Sequence, residues 1–190
     1  MDESKERMPV GSHGMQGLYC IDAFSKMDGR KLMDLYQEGN RENIDYFYPG
    51  TDDRDAALKK IENNFLEFVE KDFLAKPGNT YWILEEEGVW VSALRLNKIE
   101  DAFYYIEALE THPRYRRKGY AVKLLSGVID VLKERGSFKL CDCVRKRNTA
   151  SLNTHRKCGF EIAADRGIDY LRDEIEENDY SLQYLFKASV

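Results

Sequence analysis

The 190 residues hold only four prolines, four cysteines and three histidines. Of the cysteines Cys20, Cys141, Cys143 and Cys158, only Cys141 and Cys143 are close together. A C-x-C inside an apolar alternating run lacks the paired C-x-x-C spacing of a zinc site. Free, reduced thiols and no metal are expected, and His13, His112 and His155 are too scattered to change that. No apolar run reaches transmembrane length, and residues 1–15 are too polar for a signal-peptide core. A cytoplasmic location and no membrane partner follow by default. Positive charge is also in deficit. The net charge is −5, and a broad nucleic-acid-binding face is disfavoured because phosphate neutralisation needs clustered Lys and Arg; a cationic partner fits that field better. The Walker pattern G-x-x-x-x-G-K-[ST] and the dinucleotide fingerprint G-x-G-x-x-G do not occur, which disfavours ATP and NAD.

What remains is an ordinary globular composition, 43% hydrophobic and 33% charged, of a length that buries a full core as one domain. Residues 1–15, with Gly11-Ser12-His13-Gly14 resembling a tag scar, read as a flexible lead. Residues 16–190 read as a single domain without repeats. The run 19–24 suits a first strand. Asp28 offers an N-cap to a helix carrying Leu32, Met33, Leu35 and Tyr36, with Gly39-Asn40 as its end. A longer helix begins near Asp52-Asp53, presents Leu58, Ile61, Phe65, Phe68 and Val69 on one stripe, and stops at Pro77-Gly78. The period then changes to two: 80–85 and 89–96 flank the turn Glu86-Glu87-Gly88, and after a polar turn at 97–101 a third strand covers 103–111. A helix over 120–134 buries Leu124, Leu125, Val128, Ile129 and Leu132, Gly136 closes it, and 138–144 is a fifth strand. Strand, helix and strand at this length imply a right-handed parallel crossover, so the sheet is mixed. A short helix at 150–157 and strands at 160–164 and 181–187 complete the order.

The stretch 113-PRYRRKGYAVKLL-125 places four cationic residues in six positions before a glycine and a helix start. Helix-start N–H groups have no helical partner and sit at the positive end of the dipole, a geometry that suits phosphate. Gly119 removes a side chain where a backbone would approach a ligand, Ala121 keeps the next turn low, and Arg116, Arg117 and Lys118 raise the local potential.

Within it, 116-RRKGYA-121 matches the acyl-CoA motif [QR]-x-x-G-x-[GA]. Together with 107-EALETHPRYRRKGYA-121 and the downstream 148-NTASLNTHRKCGF-160, it resembles the GNAT superfamily of acetyl-CoA-dependent N-acetyltransferases over roughly residues 19–187. The resemblance implies an α/β fold with a mixed, mostly antiparallel sheet, a splayed parallel pair of the fourth and fifth strands, and helices on both faces. It implies acetyl-CoA as cosubstrate. The backbone at Arg117, Lys118, Gly119, Tyr120, Ala121 and Val122, with Arg116 beside it, would wrap the pyrophosphate. Leu109, Glu110 and Thr111 would pair with the pantetheine arm. Asn148 corresponds to an amide contact to the cofactor or serves as an N-cap, and Arg145, Lys146 and Arg147 are a ribose-phosphate contact or a solvated loop.

Acetyl transfer to an amine needs a neutral nitrogen, a polarised carbonyl and a proton for the thiolate. By position Glu107 matches the family's glutamate, as a base through water or as a counter-charge. Regular alternation puts Glu110 on the opposite face unless a bulge intervenes. His155 stands where the family often has a tyrosine acid, and either takes that duty or is a packed histidine, with water, Tyr115 or Tyr120 as donor. The aromatic and acidic segments 45-DYFYPGTDD-53 and 173-DEIEENDY-180 suit a small cationic amine. A protein N-terminus or lysine, a non-catalytic acyl-CoA-binding module, a nucleic-acid binder using 114-RYRRK-118, and a homodimer all stay open.

Overall fold

The computed structural model describes residues 17–189; the flexible lead expected at 1–15 lies outside the described residues. A seven-stranded sheet runs in the order β1-β2-β3-β4-β5-β9-β6, and β7 and β8 form a separate hairpin. The strands are β1 Leu18–Ile21, β2 Thr80–Glu86, β3 Val89–Glu100, β4 Phe103–Thr111, β5 Phe138–Arg145, β6 Glu161–Ala164, β7 Gly167–Asp169, β8 Glu174–Glu176 and β9 Asp179–Phe186. The helices are α1 Gly29–Leu35, α2 Gln37–Phe47, α3 Arg54–Phe68, α4 Tyr120–Glu134 and α5 Thr149–Lys157.

All sheet pairings are antiparallel except β4 with β5, which run parallel. That parallel pairing covers only Phe103, Tyr104 and Tyr105 opposite Lys139, Leu140 and Cys141. Beyond it β4 stays with β3 and β5 with β9, so the sheet opens in a wedge. The expected mixed sheet with a splayed central pair is therefore present. One face packs α4 and α5 through an aliphatic cluster that includes Leu94, Leu96, Ile106, Leu124, Leu125 and Leu140. The other packs α1 and the end of α3 through Leu32, Leu35, Tyr36, Val69, Phe73 and Tyr81.

Several boundaries moved, each for a physical reason. Asp28 caps α1 as expected, its carboxylate accepting from the N–H groups of Arg30 and Lys31 at 3.1 Å. Gly39-Asn40 does not end the helix. The axis breaks at Tyr36 instead, and Asn40 N–H donates to the Tyr36 carbonyl at 3.0 Å as α2 continues. Asn40 and Ile44 are buried, so docking outweighs the poor helix propensity of a Gly-Asn pair. Asp53 caps α3, but of the expected stripe only Ile61 and Val69 are buried, and Phe68 is 37% exposed. A π-helical turn, Val69–Phe73, finishes α3 and turns both its end residues inward.

The polar turn placed at 97–101 is strand up to Glu100, and the chain reverses at Asp101 and Ala102, the latter at φ +57°. Asn97 misleads because it is polar yet buried, with its amide donating to Tyr105 O at 3.4 Å. The acidic segment 173–180 contributes β8, which pairs with β7 in a hairpin, and the first residues of β9, and alternation in so short a run does not announce them.

Candidate active site

The wedge between β4 and β5 is the feature on which the site is built, and β4 is bent where it opens. Arg95 pairs with Glu107 and Ala93 with Glu110, so β4 carries one more residue than β3 between those rungs. Ala108 absorbs the excess at φ +49°, a left-handed conformation that non-glycine residues seldom adopt. The Tyr36 hydroxyl donates to the Ala108 carbonyl at 2.7 Å. Burial pushes the Tyr36 phenol well up from its ordinary value, so it stays a donor. The bulge intervenes in the alternation and turns Glu107 and Glu110 to the same face, that of α1–α3, while Leu109 packs on the opposite side.

The two glutamates differ in how they are held. Glu110 accepts from its neighbour's N–H at Thr111 (2.9 Å) and from Arg116 Nη2 (3.2 Å). Arg116 also pairs with Glu38 of α2 and donates through Nε to Thr111 O at 3.2 Å. Arg116 and Glu110 thus clasp the end of β4 to α2. Glu107 accepts from Asn97 Nδ2 at 3.1 Å, lies 3.6 Å from Arg95 Nη2, and keeps its side chain 25% exposed. It is the oriented carboxylate beside the wedge. Thr111 pairs with Ser92 in β3, and its hydroxyl is 3.2 Å from the Ser92 hydroxyl.

At the far end of the wedge the chain turns through His112 and the short turn Pro113–Tyr115 into α4. His112 is buried and its Nδ1 accepts from Arg114 N–H at 3.2 Å. Its Nε2 lies 3.3 Å from both Asp34 Oδ2 and Gln37 Nε2. Arg117 and Gly119 both have positive φ, +62° and +83°, and Gly119 is the N-cap of α4 with no side chain capping the helix. A Cβ at Gly119 would meet nothing within 4 Å, so the space beside the helix start at Gly119 is open. Arg117 and Lys118 are exposed, the Lys118 ammonium lying 5.0 Å from the centre of the Tyr115 ring. An uncapped helix start beneath open space, continuous with a strand edge left unpaired, fits a ligand with a phosphate group and an amide-bearing arm.

The second motif is placed differently. Asn148 caps α5, its Oδ1 accepting from Ser151 N–H at 3.1 Å. Arg145 and Lys146 face Asp179 (3.6 Å) and Asp165 (3.5 Å), while Arg147 is exposed. His155 has no exposed surface. Its ring sits edge-on to Phe160 at 4.9 Å, with Nδ1 2.9 Å from Ser151 O. Nε2 is 2.8 Å from Asp142 Oδ2, at an angle poor for a hydrogen bond although the charges are in contact. Burial works against its positive charge, but Asp142 and the Ser151 carbonyl outweigh that and raise its pKa. The imidazole lies on the α4–α5 face, across the sheet from Glu107, so the structure does not bring these two expected partners together. In this position the ring is sealed against Phe160, Ser151 and Asp142.

On the α1–α3 face a cavity of about 370 Å³ reaches from α2 and α3 to Ala108 at the bulge. Tyr36, Arg95, Asn97 and His112 hold the site and were not expected from the sequence. The two glutamates three residues apart in one strand were the only hint of the bulge. Of the expected acidic surfaces, Asp45 pairs with Arg54 at 2.7 Å, Asp53 caps α3 and Asp179 faces Arg145, and none of their carboxylates lines the cavity. Burial pushes the Cys141 thiol up to about 11 and Cys143 up to about 12, so both are protonated packing groups. Among the described residues no three His, Cys, Asp or Glu side chains are grouped to hold a metal ion, and no helix is long and apolar enough to cross a membrane.

Solved structures with this fold include the PaiA N-acetyltransferase of Thermoplasma acidophilum in complex with coenzyme A. It is 13% identical, with a TM-score of 0.56 over 89% of this chain and 99% of that one. The spermidine N-acetyltransferase SpeG chimera from Vibrio cholerae and hSSAT is 15% identical, with a TM-score of 0.58 over 89% and 95%. YncA of Salmonella typhimurium, solved with its cofactor acetyl-CoA, is 20% identical, with a TM-score of 0.50 over 86% and 93%. At these identities the likeness is one of fold. No curated protein matches in sequence. The family model for the Acetyltransferase (GNAT) family matches residues 31–160, which include the wedge, the glycine loop and α5, and this chain belongs to that family.

Proposed function

We propose that the protein is an acetyl-CoA-dependent N-acetyltransferase acting on the primary amine of a small molecule. The observation that carries this is the wedge between β4 and β5, which runs into the uncapped start of α4 at Gly119. Acetyl-CoA supplies the activated acyl group: the amine nitrogen bonds to the carbonyl carbon as the C–S bond breaks, one proton leaving nitrogen and one reaching sulfur.

The chain's own residues divide the remaining work. The N–H groups of Tyr120, Ala121 and Val122 bind the pyrophosphate, helped by the exposed Arg117 and Lys118. The unpaired edge of β4 at Leu109, Glu110 and Thr111 meets the amide-bearing arm, and a backbone N–H near Leu109 donates to the thioester oxygen. Glu107, fixed by Asn97 and Arg95, receives the substrate ammonium and accepts its proton, directly or through water. Arg116 acts by fastening β4 to α2. Asn148 enters as the cap of α5 and His155 as a packed partner of Asp142. Residues 16–190 act as one domain.

The test is acetyl-CoA-dependent thiol release over a panel of primary amines, with the Glu107→Gln variant alongside. Amine-dependent release that falls in the variant supports the reading. Failure of acetyl-CoA to raise the melting temperature would overturn it.

A further inference from the structure

Of the residues that line the cavity beside the bulge, five are aromatic, three are asparagines (Asn40, Asn43 and Asn64) and none is charged. Its volume suits a compact small molecule. Two cations are placed over its rings. Arg95 lies 4.9 Å from the centre of the Phe68 ring, and the Lys60 ammonium 5.7 Å from that of Tyr48. Of the three α2 carboxylates, Glu38 and Asp45 are engaged by Arg116 and Arg54, and Glu42 does not line the cavity. A chain with two or more ammonium groups entering here would leave its second charge without a carboxylate and near Arg95 and Lys60, and desolvating an unpaired charge is costly. An apolar or aromatic body loses nothing in the same space and gains contact with Phe65 and Phe68, while the asparagine amides serve one neutral polar group. Ala108 lines the cavity and is bonded directly to Glu107, so a body seated there holds its amine within reach of that carboxylate.

We infer that the acceptor is a monoamine on an apolar or aromatic body, and not a polyamine. This rests on the N-acetyltransferase reading and narrows it. It also departs from the cationic acceptor suggested by the acidic segments of the sequence, because those carboxylates do not line the cavity.

The experiment compares kcat/KM for phenethylamine and spermidine by thiol release with saturating acetyl-CoA, in the wild type and in Asn64→Asp. The variant adds a carboxylate to the cavity at almost unchanged size. The expected result is at least a tenfold preference of the wild type for phenethylamine, and at least a tenfold fall of that preference in Asn64→Asp. A wild-type preference for spermidine, or a ratio that the variant leaves unchanged, would overturn the inference and leave the acetyltransferase reading standing. If neither amine is turned over, calorimetry of each amine with the CoA-loaded protein decides. Phenethylamine binding that Asn64→Asp weakens against spermidine supports the cavity's preference while the catalytic reading fails, and binding of spermidine alone, or of neither, overturns the preference.

Discussion

On the face covered by α4 and α5 the sheet buries Leu94, Leu96, Ile106, Leu140 and Val144, whereas the face covered by α1–α3 buries Tyr36, Tyr81 and Trp90 and carries Arg95, Asn97 and Glu107. The first face is closed by dispersion and burial of aliphatic surface, which require the right period and little else. The second holds polar groups that must find one another: Asn97 serves both Tyr105 O and Glu107, and Tyr36 serves Ala108 O. One half-sheet therefore fixes the fold, and the other positions the chemistry. A substitution on the aliphatic face should cost stability; one on the polar face should cost turnover.

The severest break in that comparison is the polar pair lodged in the aliphatic half. His155→Ala leaves Asp142 buried without its partner, and a loss of about 3–5 kcal/mol in unfolding free energy is expected, read by chemical denaturation. The pair also predicts a pH dependence. His155 has a pKa raised above its ordinary 6.5 in the fold, so its stabilisation is fully present below that value and lost as pH rises through the folded value. Wild-type stability should fall on the alkaline side of 6.5, and His155→Gln should flatten that slope. A wild-type profile identical to that of the variant would show that the imidazole is neutral in the fold.

Glu107→Gln tests the other half. The amide still accepts from Asn97 but no longer pairs with Arg95, so the melting temperature should fall by a few degrees, while kcat/KM for the amine falls about 100-fold, in the range for loss of a general base. A variant that is destabilised yet fully active would place Glu107 among the packing residues.

Two glycines sharpen the contrast between packing and binding. A Cβ at Gly167 would come 2.2 Å from Cys143 Sγ and 2.9 Å from Asp179 Cβ, so Gly167→Ala should cost about 1–3 kcal/mol by overpacking where the β7–β8 hairpin meets β5 and β9. A Cβ at Gly119 meets nothing. There Gly119→Ala strains only the left-handed backbone, by about 1 kcal/mol, and its larger effect should be a weakened stabilisation by acetyl-CoA, measured as the ligand-induced shift in melting temperature.

The same contrast explains what could be read from the sequence. The aliphatic period of 120–134 and the alternation of 80–96 are repeated over many residues, so the helix, the hairpin and the order around them were legible. The turn of the glycine loop into α4 was legible because 116-RRKGYA-121 is contiguous and Gly119 sits at the helix start. The acceptor side was not. Its cavity is assembled from α2, α3 and one bulged residue of β4, far apart in the chain, and polar letters there point both ways. Asn97 reads as a turn and is a buried strand residue; Asp45 and Asp53 read as a cationic-substrate surface and are an ion pair and a helix cap. His155 reads by position as an acid or a packed histidine, and the depth of its packing is not legible in the sequence.

The smallest expected effect probes the link between the two halves. Tyr36→Phe keeps the ring, with its edge-on contact to Phe65 at 5.1 Å, and removes only the hydroxyl that holds the Ala108 carbonyl. The direct loss is one buried hydrogen bond, about 1 kcal/mol. Because that bond fastens a residue at φ +49°, its removal lets β4 relax toward regular alternation, which would carry Glu107 and Glu110 away from their shared face. The expected outcome is a few degrees off the melting temperature together with a roughly tenfold fall in kcat, since a misplaced base costs rate more than binding. Equal stability loss with unchanged kcat would mean that the bulge is held by the β3 register alone, and that the Tyr36 hydroxyl belongs with the packing of the aromatic face.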